Sequence, residues 1–143
     1  MFPLLLHTHS ILRYLVLLLL AIVIVRFTFG KIFKRQYNSL DDRLSLFTVM
    51  IVHLQFLIGA ILYFISPTVK AALSDMAAAM KDEILRFWAV EHVTLMAGAV
   101  LLITIGRIKS KKQALHSEQK FRRALIFYVL GLVFIIAGIP WER

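Results

Sequence analysis

Six ionisable side chains sit in stretches otherwise made of apolar residues: His7, His9, Arg13, His53, Glu91 and His92. An ionisable group at bilayer depth is costly, turns toward a protein interior and is by default a functional candidate. Imidazoles can ligate a metal or relay a proton, and a carboxylate can neutralise a buried guanidinium. The chain has no cysteine, which removes disulfides, iron-sulfur clusters, thiolate zinc sites and cysteine nucleophiles together. The sequence carries no serine triad, P-loop, GxGxxG or catalytic carboxylate pair, so hydrolytic and nucleotide-dependent enzymes have no support.

Spacing narrows the choice. His9 and Arg13 are four apart and share a helix face, whereas His7 points nearly the opposite way, so His9 is the histidine expected inside. Glu91 and His92 diverge by one helical step, which predicts that Glu91 pairs with Arg13 while His92 addresses another neighbour. Counting about 1.5 Å per residue puts His9 about 9 Å below one membrane face and His92 about 6 Å below Trp88. His53 lies deeper, near the level of Arg13. Two imidazoles at similar depth on different helices are what the axial positions of a b-type haem require, so His9 and His92 lead as ligands. His53 then stands as substitute ligand, proton-active neighbour or quinone contact, and Arg13 as a counter-charge. Three further readings stay open: structural cross-linking by the same polar groups, a divalent metal on His9, His53, His92 and Glu91, and a haem-free quinone pocket. Phe56, Phe64, Phe87, Phe127 and Phe134 could wall a macrocycle or simply pack. His116 falls in a basic loop and reads as solvated.

The elements that must position these residues are helices. Of the 143 residues, 60% are hydrophobic and 17% charged, a mixture that excludes a water-soluble fold. Stretches long enough to cross a bilayer, about 20 residues, run from Pro3 to Phe29, Leu44 to Ile65 and Leu85 to Ile105; a fourth, Leu125 to Ile139, is short and spans only if its first turn takes in Arg123 and Ala124. The first has no basic lead-in and carries Arg13, so it reads as a retained helix rather than a cleaved leader. The expectation is one all-α domain, residues 1–143, folded as a transmembrane up-down four-helix bundle. A short interfacial helix between spans two and three is expected from Val69, Leu73, Met76 and Met80. Gly131 and Gly138 share a face of span four and permit close packing.

Loop charges orient the bundle. Arg26, Lys31, Lys34, Arg35 and Arg43 face only Asp41 and Asp42, and Arg107, Lys109, Lys111, Lys112, Lys120, Arg122 and Arg123 face Glu118. The remaining loop balances Lys70, Lys81 and Arg86 with Asp75, Asp82 and Glu83. By the positive-inside rule both basic loops are cytoplasmic and both termini lie outside. The basic residues fall between apolar spans, which argues against nucleic acid as a partner.

The string His7-Thr-His9-Ser-Ile-Leu-Arg13-Tyr, with HLQFLIGAILYFISP from His53, RFWAVEH ending at His92 and the late AGIPW, resembles a family of small four-span membrane proteins of Bacteroidetes labelled cytochrome b-like. The resemblance covers essentially the whole chain. It implies a bacterial inner membrane with periplasmic termini, and points to His9, Arg13, His53, Glu91 and His92. A haem electron-transfer subunit is the function expected, possession of catalytic activity being open. The alternative is a haem-free accessory or assembly subunit. Either would suit a larger membrane complex or a homo-oligomer.

Overall fold

A computed structural model describes residues 1–112 and 114–141; residues 113, 142 and 143 lie outside the described set. Helices α1 (Phe2–Ile32), α2 (Ser39–Ile65), α5 (Glu83–Ser110) and α6 (Ser117–Gly138) are each long and apolar enough to cross a membrane. Two short helices, α3 (Pro67–Ser74) and α4 (Met76–Ala79), connect α2 to α5. No strand occurs among the described residues. The expected all-α up-down four-helix bundle is therefore present, with each long helix packed mainly on two neighbours: α1 on α2 and α6, α5 on α2 and α6.

Local sequence sets the ends. Lys34 takes a left-handed backbone (φ 51°) after α1, turning the chain back on itself. Asn38 then caps α2, its side chain accepting from the Asp41 amide while Asp41 reciprocates to the Asn38 amide. Ser66 and Pro67 stop α2 and start α3. The last long helix begins at Ser117, well before Leu125, so its basic first turns are helical and span four is not short.

The connector departs from the single amphipathic helix expected. It breaks at Asp75, whose carboxylate accepts from the Ala78 amide and starts α4. Ala72 and Ala79 are buried with Ala89, and of the expected stripe Val69 is buried whereas Leu73, Met76 and Met80 are exposed. Small side chains let this segment approach α5 closely, so an alanine face with Val69, rather than the whole larger apolar stripe, is buried.

The main core lies away from the connector. Val16, Leu20, Val23 and Phe27 of α1 meet Val49 and Val52 of α2, Ala99 and Ile103 of α5, and Phe121, Tyr128 and Ile135 of α6. Helices α5 and α6 form the most extensive pair, and Gly131 lets the Ile103 side chain seat where a Cβ would come within 2.6 Å. At the basic end, Asp41 is fully buried between Arg26 (2.7 Å) and Arg35 (2.8 Å). Asp42 holds Arg107 at 3.0 Å. Ser45 and Tyr128 hydrogen-bond across the bundle diagonal beside them.

Candidate functional site

Above Val16, toward the connector, α1 contributes no fully buried apolar residue, and its His9 stands in the bundle interior. His9 of α1 and His92 of α5 face each other there, ring centroids 6.5 Å apart and planes at 72°. These helices are diagonal partners, so the imidazoles occupy the bundle axis rather than a lipid-facing seam. The expected pair is thus brought together.

Each ring is held differently. The His92 Nδ1–H donates to the Gly138 carbonyl at 2.7 Å, one of the last carbonyls of α6, which has no partner within its own helix. That bond orients the ring and leaves Nε2 with its lone pair, an arrangement common in metal-ligating histidines. It depends on Gly138, where a Cβ would run into Met96 and Leu95. The rings of Phe87 and Trp88 flank His92 at 5.8 and 5.5 Å. His9 instead rests on Gly59, where a Cβ would lie 3.0 Å from its Cε1. Gln55, one turn along α2, donates its amide to the His9 carbonyl at 2.9 Å. Both His9 Nδ1 and Gln55 Oε1 are buried without a hydrogen-bond partner among the described residues.

Helix α5 reaches the site through a π-turn over Phe87–Glu91. The wider turn rotates the following residues and frees a backbone acceptor. Tyr63 of α2 donates to the Ala89 carbonyl at 2.9 Å. The same turn corrects the expected Arg13–Glu91 pair. A π-turn is closed by backbone bonds between residues five apart, and Glu91 binds Arg86, five residues earlier, at 2.7 Å. Arg13 bends back on its own helix, its guanidinium 4.8 Å from the Tyr14 ring centre and donating to the Tyr14 hydroxyl at 3.1 Å. Arg13 also lines a cavity of about 140 Å³ with Tyr14, Leu17, Ile139, Pro140 and Trp141.

His53 stands apart. Two helical residues are separated by about 200°, so with Gln55 against α1, His53 points away. It is exposed and meets Thr104 of α5 at 3.1 Å. Because the Thr104 hydroxyl donates to Val100, His53 Nε2–H is the donor. The four-residue metal set of His9, His53, His92 and Glu91 is correspondingly not assembled: no cluster of three metal-ligating side chains exists among the described residues. His7 is exposed, as is His116. Of the phenylalanines considered as walls, Phe87 touches the site. Phe64 is exposed, Phe127 packs at Gly106 and Phe134 at Gly98. Gln55, the seating of His9 on Gly59, the His92 tether to the Gly138 carbonyl and the π-turn were not anticipated. A glutamine inside an apolar span, four residues before a glycine on the same face, is the signal that could have found the first two.

No family model, curated protein or solved structure matches the chain.

Proposed function

We propose that the chain is a multi-pass inner-membrane protein that binds one b-type haem through His9 and His92 and serves in electron transfer. The observation that carries this reading is the facing of two imidazoles from diagonal helices with 6.5 Å between ring centres. Two metal–nitrogen bonds of about 2 Å and two ring radii of about 1 Å amount to about 6 Å, so the separation suits two imidazoles on one iron. The donor set also fits, one ring fixed through Nδ1 and the other with an unpaired ring nitrogen. When bound, the group supplies reversible one-electron transfer. The chain's part is to hold both rings at one level, seat them on Gly59 and Gly138, and keep bulk water out. Arg13, one turn along α1 from His9, supplies a cation for the group's carboxylates.

The basic loops argue for a cytoplasmic basic end, hence periplasmic termini and a site in the periplasmic half. A larger complex or a homo-oligomer would provide the electron donor and acceptor. The family resemblance agrees with this reading.

One observation favours the second reading, a haem-free accessory subunit. The cavity at Arg13, about 140 Å³, is lined by neither His9 nor His92 and has room for a few waters rather than a macrocycle. The test is the dithionite-minus-oxidised difference spectrum of protein purified from haem-replete cells. A low-spin b-type spectrum is expected. A colourless, stably folded sample would overturn the haem reading in favour of the accessory subunit.

A further inference from the structure

The surface of α1 at the basic end carries an open groove of about 590 Å³ lined by Ala21, Ile22, Val25, Arg26, Phe29 and Arg35. Ile22, Val25 and Phe29 are each about half exposed there, so the floor is apolar. Its cations are fixed. Arg35 grips Asp41 with two nitrogens, at 2.8 and 2.9 Å, and Arg26 reaches the same carboxylate through Nε at 2.7 Å. Asp41 also accepts from the Asn38 amide and is fully buried. Two guanidiniums therefore share one carboxylate, leaving one net positive charge. The two terminal amino groups of Arg26 have no partner among the described residues. Hydrogen bonding to Asp41 raises the Arg35 pKa above its ordinary value, so the excess charge persists at any physiological pH.

We propose that this groove is a binding site for one anionic phospholipid, its phosphate on Arg26 and Arg35 and an acyl chain along Phe29, Val25 and Ile22. Charge complementarity selects the occupant: bidentate-capable guanidinium donors suit phosphate oxygens, and the apolar floor suits hydrocarbon. A polar peptide would leave that floor unsatisfied. The proposal rests on the bilayer reading but not on haem, so loss of either leaves the other standing.

The test is native mass spectrometry of the full chain released from micelles containing equal phosphatidylglycerol and phosphatidylethanolamine. One retained phosphatidylglycerol per chain is expected, preferred by about fivefold, roughly what one cation near an anionic headgroup is worth. Arg26→Gln, which leaves the Arg35–Asp41 pair, should bring that ratio near one. Val25→Trp, at a lipid-facing position, should fill the groove and lose the lipid. Lys112→Gln and excess inorganic phosphate should change nothing. Equal retention of both lipids, equal loss in Lys112→Gln, displacement by phosphate, unaltered binding in Val25→Trp, or a lipid-free dimer would each overturn the site.

Discussion

Tyr37 illustrates how one side chain can cost stability where it sits. Its hydroxyl is buried without a partner among the described residues, though its ring packs on Phe27 and Phe121 and under the Lys120 ammonium. Burial is the largest cause raising the phenol's pKa above its ordinary value near 10. A raised folded-state pKa means that the stability tied to this proton is intact below about pH 10 and is lost as pH climbs further. Tyr37→Phe should accordingly be neutral or stabilising by about 1 kcal/mol at neutral pH, and should blunt the alkaline loss. Denaturation of both proteins across that range checks it, and parallel curves would contradict it. A second residue-scale expectation concerns Glu91. Because it binds Arg86 rather than Arg13, a double-mutant cycle of Arg86→Leu with Glu91→Leu should show weak but measurable coupling, the pair being open to solvent. The Arg13→Leu and Glu91→Leu losses should simply add. Stronger coupling to Arg13 would refute the assignment.

At the scale of elements, the π-turn in α5 and the glycines of α2 and α6 do the positioning. Gly138→Ala would displace the Met96 methyl and crowd the Leu95 Cβ, costing about 1 kcal/mol by overpacking and loosening the His92 tether. A lower unfolding temperature in detergent, by circular dichroism, is expected; no change would show that the close approach is dispensable. The four long helices were legible because about 20 apolar residues between charged loops have few other folds available. His9 and His92 were legible because depth follows from counting residues along a helix of fixed rise. What the counting missed has one cause. A π-turn inserts a residue, so the phase assumed for Glu91 was that of an unbroken α-helix, and an Arg13 partner followed. Asp75 broke the connector for a different reason, an aspartate cap competing with helix continuation.

For the whole molecule, the apolar core runs from the basic end to Ile135 and Ile139, and the polar diagonal pair stands in the connector half. If the basic loops are cytoplasmic, a periplasm-active reporter fused after Arg143 should be active and a cytoplasm-active one silent; the reverse would invert the assigned orientation.

Ligation by two rings on one axis is tested most directly by the difference spectrum of His92→Ala beside the unmodified protein. The unmodified protein should give a low-spin b-type spectrum, and His92→Ala, which removes one ring and its Gly138 tether, should lose it. His116→Ala, in an exposed loop, should keep it. A low-spin spectrum surviving in a folded His92→Ala protein would contradict the two-histidine centre.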